Sequence, residues 1–136
     1  MPPQLLVLGL GPGDDALLTQ QVRDSIASAS DAFGYFPYVA RLQGLGHLQL
    51  HASDNREELD RARTALNLAA QGRKVLMLSS GDPGVFAMAS AVFETLEQAS
   101  PEEHARWQSV DVQVQPGITA MLAAAARLGA PLGHDF

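Results

Sequence analysis

Apolar residues fall into short blocks, and between the blocks the spacing changes from strand-like to helical. Residues 4–10, Gln-Leu-Leu-Val-Leu-Gly-Leu, form a nearly unbroken apolar run, the look of a central parallel strand buried on both faces. A second run at 75–78, Val-Leu-Met-Leu, is preceded by Arg73 and Lys74 and followed by small polar residues, which again fits a buried strand. Residues 110–114 alternate Val-Asp-Val-Gln-Val, so this strand has one partly exposed face and belongs nearer an edge. Two shorter strands are predicted, one in 31–38, running into an aromatic loop, and one at 47–50. The intervening segments repeat every three to four residues. The first, 16–29, carries Leu18, Val22, Ile26 and Ala29 on one face, with Asp14 or Asp15 as its N-cap. The second, 56–70, follows a helix start at Ser53 to Asn55, stacks Leu59, Ala62, Ala65, Leu66 and Ala69, and closes at Gly72. A third spans 85–98, Ser100-Pro101 starts a short helical turn, and an alanine-rich helix runs to Leu128. The alternation predicts an α/β fold: a three-layer domain with a mostly parallel sheet of about five strands flanked by helices.

Three of the strand-to-helix junctions are rich in glycine and proline. They are Gly9-Leu10-Gly11-Pro12-Gly13-Asp14-Asp15, Ser79-Ser80-Gly81-Asp82-Pro83-Gly84 and Gln115-Pro116-Gly117-Ile118-Thr119-Ala120. All leave carboxyl ends of strands, where open α/β sheets keep their ligands. Gly81 and Gly84 lack a Cβ and allow close backbone approach. Each loop taken singly is also explained as an ordinary tight turn; three together point to one ligand rim. The first loop is not a dinucleotide fingerprint, because Asp14 stands where a third glycine is required. A carboxylate at a helix start also repels a pyrophosphate. No Gly-Lys-Ser/Thr of a triphosphate loop is present. The first loop therefore suits a ligand without phosphate, approached by backbone groups beside a rigid proline.

Composition narrows the class. The chain has 136 residues, 46% hydrophobic and 18% charged, which fits one globular domain with a real core and argues against disorder. The net charge of −6 and the lack of a basic run disfavour a nucleic-acid partner. With no cysteine, thiolate metal sites and cysteine nucleophiles are excluded, and no metal centre is expected. No apolar run reaches the length of a membrane span, so a cytoplasmic protein is the default expectation.

Two further groups invite a chemical reading. Phe33, Tyr35, Phe36 and Tyr38 gather most of the aromatics in one segment. Packing is the favoured account; walling a flat conjugated ligand is the alternative. His51 is a candidate acid/base, with a structural role favoured. Arg56 and Arg61 fall on a helix with charges opposite its apolar stripe, and Arg61 is read as part of that solvated face.

The three loops, with Leu18-Thr19 after the first, resemble the signature set of the tetrapyrrole methylases, methyltransferases of cobalamin and sirohaem synthesis that use S-adenosylmethionine. Longer blocks resemble the precorrin-3B C17-methyltransferase branch: Phe33-Gly34-Tyr35, the run from Ser53 to Glu58, Arg61-Ala62, the run from Ser79 to Ala89, and the run from Gly129 to Phe136. The likeness extends almost end to end. It implies that 1–136 is the N-terminal domain of a two-domain, commonly homodimeric enzyme with the cofactor in the cleft between domains. It further implies that Pro12 contacts S-adenosylmethionine from the first loop. Gly81, Asp82, Val85 and Phe86 would line its methionine and ribose side, and Thr119 and Ala120 would hold it from the third loop. Methylation in this branch accompanies ring contraction of a carboxylate-rich tetrapyrrole, so His134, Asp135, His51 and Tyr35 are the residues to suspect of moving protons. Alternatives are another tetrapyrrole methylase or diphthine synthase on the same scaffold, or a non-catalytic binding or dimerisation domain.

Overall fold

The computed structural model describes residues 3–10, 18–54, 57–79 and 88–115. Its elements are β1 (Gln4–Gly9), α1 (Gln20–Ser28), β2 (Asp31–Tyr35), α2 (Phe36–Ala40), β3 (Gln49–Ser53), α3 (Glu58–Ala69), β4 (Lys74–Ser79), α4 (Met88–Glu97), α5 (Pro101–Trp107) and β5 (Asp111–Gln115). The strands form one five-stranded sheet of order β3-β2-β4-β1-β5, and every pairing in it is parallel. The expected three-layer parallel architecture is what folds.

Strand alternation divides the core in two. Leu5 and Val7 of β1, Val75 and Met77 of β4 and Phe33 of β2 face one side, where Ala62, Ala65, Leu66 and Ala69 of α3, Met88 and Val92 of α4 and Trp107 of α5 cover them. Leu6, Leu8, Leu76 and Leu78 face the other side and meet Val22 and Ile26 of α1 and Val39 of α2. Each fully buried aliphatic side chain contributes on the order of 1.5–3 kcal/mol, so the β1–β4 pair, apolar on both faces, anchors the domain. From β1 the chain crosses the sheet in one direction to β2. From β4 it crosses in the other direction to β5. Right-handed crossovers then require helices on opposite faces, and that is the observed partition. β5 is an edge strand with Asp111, Gln113 and Val114 exposed, as its alternation predicts.

Local boundaries depart from the pattern where side chains find other partners. Helix α1 begins at Gln20, not 16. Thr19, in extended backbone, caps it by accepting from the Val22 N–H at 3.1 Å, so neither Asp14 nor Asp15 is the N-cap; Leu18 packs on the core from outside the helix. The third strand runs 49–53 rather than 47–50, because Leu48 N–H closes a turn on the Leu45 carbonyl and His47 Nε2 lies 2.9 Å from the Ile26 carbonyl. The aromatic loop after β2 coils into α2, with Pro37 in its first turn. The helix start foreseen at Ser53 is not used: Ser53 ends β3 and α3 follows Glu57 without a side-chain cap. Gly72, at φ +92, turns the chain after α3 as expected. The turn at Ser100 is a full helix with a reciprocal Ser100–Glu103 capping box. Among the described residues no helix is long and apolar enough to cross a membrane.

Candidate functional site

The three glycine- and proline-rich junctions begin at the carboxyl ends of β4, β1 and β5, and these strands are immediate neighbours. Gly9 is level with Ser79, and Leu8 with Gln115. Leu10 N–H donates to the Ser79 carbonyl at 2.9 Å, extending the pairing one step past β1. The chain leaving β1 leads to α1 on one face, and the chain leaving β4 leads to α4 on the other. Neighbouring strands whose connections diverge in this way mark the place where open α/β sheets hold ligands. A buried hydrogen bond joins α1 to the end of β5: Ser25 Oγ donates to Gln115 Oε1 at 2.7 Å, and both residues are buried. Gly9, Leu10, Ser79 and Gln115, the residues at the three strand ends, are all neutral.

Pro12, Gly81, Asp82, Val85, Phe86, Thr119, Ala120, His134 and Asp135 lie outside the described residues. Of the remaining candidates, Tyr35 ends β2, which is hydrogen-bonded to β4, and so stands at the same rim. His51 is placed elsewhere. It lies mid-strand in β3, its ring stacked on Phe33 at 4.2 Å and nearly parallel to it. Its Nε2 is 3.0 Å from Asp31 Oδ1. Asp31 is the first residue of β2, fully buried, and also takes hydrogen bonds from Ser30 at 2.6 Å and Arg73 at 3.2 Å. His51 thus leans toward the amino end of the sheet, away from the strand exits. Burial raises the Asp31 pKa, but the hydrogen bonds from Ser30, His51 and Arg73 outweigh it and hold the carboxyl below its ordinary value.

Arg61 corrects the sequence reading most clearly. Favoured as part of a solvated face, it is only 4% exposed. Its Nε–H donates to Ser53 Oγ at 2.7 Å and its Nη2 to the Asp54 carbonyl at 2.6 Å, with a longer contact to the Ser53 carbonyl. Nη1 reaches the Met88 sulfur at 3.9 Å. One guanidinium therefore ties the exit of β3 to the first residue of α4. Burial pushes its pKa down, while Glu58 and Glu57 push it up. The signal was present in the sequence, since Arg61 sits four residues before Ala65 and beside Ala62 on the apolar stripe. Asp31 and the Ser25–Gln115 pair left no such signal, because their partners are distant in sequence.

A side cavity of about 390 Å³ opens between α1 and the turn after α2, floored by Leu10, Ile26 and Leu42. Leu10, which follows β1, brings the cavity up to the rim, and Arg23 and Arg41 also line it. Among the described residues no group of three or more acidic or histidine side chains is positioned to hold a metal.

The profile of the tetrapyrrole (corrin/porphyrin) methylases matches residues 4–136. The chain is 53% identical over 132 residues to a protein of Sinorhizobium sp named precorrin-3B C(17)-methyltransferase, covering 97% of this chain and 50% of that protein. It is 36% identical to a Salmonella typhimurium protein named probable cobalt-factor III C(17)-methyltransferase, covering 97% of this chain and 52% of the relative. The crystal structure of the methyltransferase CobJ superposes with a TM-score of 0.88 at 57% identity, over 98% of this chain and 54% of that one. The chain thus spans about half the length of these relatives.

Two outcomes test this geometry. Arg61→Met removes a donor from Ser53 Oγ and leaves the Asp54 carbonyl with only the Glu57 N–H of its two donors, which lowers stability by about 1–3 kcal/mol; Arg61→Lys restores only part, because an ammonium cannot fork between them. Urea unfolding of the three proteins measures both. Because the Asp31 pKa is lower folded than unfolded, its stabilising contribution is full above about pH 4 and fades as the pH falls further. The stability gap between wild type and Asp31→Asn, followed by urea unfolding across pH, should shrink over that acidic range.

Proposed function

The chain belongs to the tetrapyrrole (corrin/porphyrin) methylases, and from that premise we propose that it is the N-terminal, cofactor-bearing domain of a two-domain S-adenosylmethionine-dependent methyltransferase of corrin biosynthesis. The reaction is methylation at C17 of precorrin-3B, or of its cobalt form, with contraction of the ring. The observation that carries this reading is the adjacency of the β4, β1 and β5 exits at one rim. The higher identity to the relative named for precorrin-3B than to the one named for cobalt-factor III favours the metal-free substrate.

S-adenosylmethionine supplies a methyl group on a sulfonium, so transfer to a nucleophilic ring carbon needs alignment more than acid/base help. The motif assigns Pro12 to the first loop's contact with it, Gly81, Asp82, Val85 and Phe86 to its methionine and ribose side, and Thr119 and Ala120 to the third loop. In this assignment Asp82 favours the positive groups of the cofactor or bonds its hydroxyls. For the protons moved in ring contraction, Tyr35 at the rim, with His134 and Asp135, are the residues we retain. His51 is assigned a structural role, its ring nitrogen being spent on buried Asp31. The protein is taken to act in the cytoplasm as a homodimer.

The test is direct. The natural gene product containing this chain, incubated without oxygen with precorrin-3B and S-adenosylmethionine, should yield a singly methylated tetrapyrrole by mass spectrometry together with S-adenosylhomocysteine. Methylation of some other tetrapyrrole, or of a protein, with precorrin-3B left intact would replace the proposed substrate.

A further inference from the structure

Phe36 is 57% exposed, more than any other large hydrophobic side chain among the described residues, and its place in the fold is specific. It is the first residue of α2, directly after the last residue of β2. β2 pairs with β4 from Asp31 level with Val75 to Phe33 level with Met77. The same register continued brings Gly34 level with Leu78 and Tyr35 level with Ser79. Packing supports the first step of this continuation, since a Cβ placed on Gly34 would lie 3.1 Å from Leu78 Cβ. Tyr35, the next residue, closes β2 at the same end of the sheet at which β4 closes with Ser79, the residue that precedes the Ser-Gly-Asp-Pro loop assigned to the cofactor.

The aromatic rings here form an arranged group. Tyr35 meets Tyr38 edge to face at 5.6 Å and Phe36 at 6.4 Å with a 60° tilt. Tyr38 packs against the core beneath, so the group is buttressed from below while Phe36 faces solvent. Pro37 restricts the backbone that presents it. Leaving a rigid aromatic group half in water beside a ligand rim costs solvation free energy that an ordinary turn avoids with polar residues. Aromatic faces of this kind suit a flat conjugated ligand.

We infer that Phe36 and Tyr35 form a stacking wall for the conjugated edge of the tetrapyrrole, holding the ring next to the exit of β4. The inference rests on the function proposed above and adds to it a surface that selects the substrate, separate from the residues assigned to the cofactor. Stacking on this wall adds affinity for the flat ring itself. It also gives Tyr35 a second role beside its hydroxyl: its ring supports Phe36 whatever its part in proton movement.

The experiment uses the natural protein and two titrations, one with S-adenosylhomocysteine and one with precorrin-3B under anaerobic conditions. Phe36→Ala should weaken precorrin-3B binding about tenfold, the scale of an aromatic contact with its buried area, while the affinity for S-adenosylhomocysteine and the melting temperature stay as in wild type. Phe36→Trp should keep precorrin-3B affinity, and its indole emission should be quenched as the tetrapyrrole is added. Unchanged precorrin-3B affinity in Phe36→Ala overturns the inference. So does a change in oligomeric state without a change in that affinity, because the exposed ring would then serve a protein contact. Wild type that binds neither ligand contradicts the proposed function instead, so the two failures are told apart.

Discussion

Everything in this domain depends on burying the β1–β4 pair on both faces. Leu5, Val7, Val75 and Met77 point one way and Leu6, Leu8, Leu76 and Leu78 the other, so neither face can be left to water without exposing several aliphatic side chains. Two helical layers follow of necessity, and the right-handed crossover rule dictates which connection covers which face. That constraint also locates the site. Parallel strands all end on one side, so the loops that leave β4, β1 and β5 start together whatever their later course.

The polar groups inside the domain then serve position. Ser25 and Gln115 tie the first helix to the end of the edge strand. Arg61 ties the exit of β3 to the start of α4 by spending its donors on backbone carbonyls and a hydroxyl. Asp31 gathers Ser30, His51 and Arg73 at the opposite end of the sheet. At the carboxyl ends of the strands, Ser79 and Gln115 close β4 and β5, and Tyr35 closes β2.

Much of this was legible in the chain. Unbroken apolar runs announced the central strands because both faces are buried, and the Val-Asp-Val-Gln-Val alternation announced the edge. Gly72 and the Ser100 cap were readable because their effects are local. The start of α1 was misjudged because Thr19 competes with Asp14 and Asp15 for the cap, and only the folded backbone shows which residue is extended. The third strand shifted because His47 and Leu48 are held by contacts to α1 and to a turn. Arg61 was misassigned by weighing its charge above its position on the stripe, and its acceptors are backbone carbonyls that no composition reveals. The partnership of Asp31 with His51 and Arg73 crosses three strands and has no sequence pattern. Of the candidate site, Tyr35 and His51 are described, and the sheet separates them: one at the rim, one turned toward the far end.

The central claim is that the ends of β4, β1 and β5 together hold one S-adenosyl ligand. Calorimetric titration of S-adenosylhomocysteine into the natural protein, and into its Gly81→Val and Thr119→Ala variants, tests it most directly, with NAD as the competing ligand class. The account predicts one site per chain, weakened by changes in either loop, and no heat from NAD. Binding of NAD, or binding of S-adenosylhomocysteine that neither substitution alters, would contradict it.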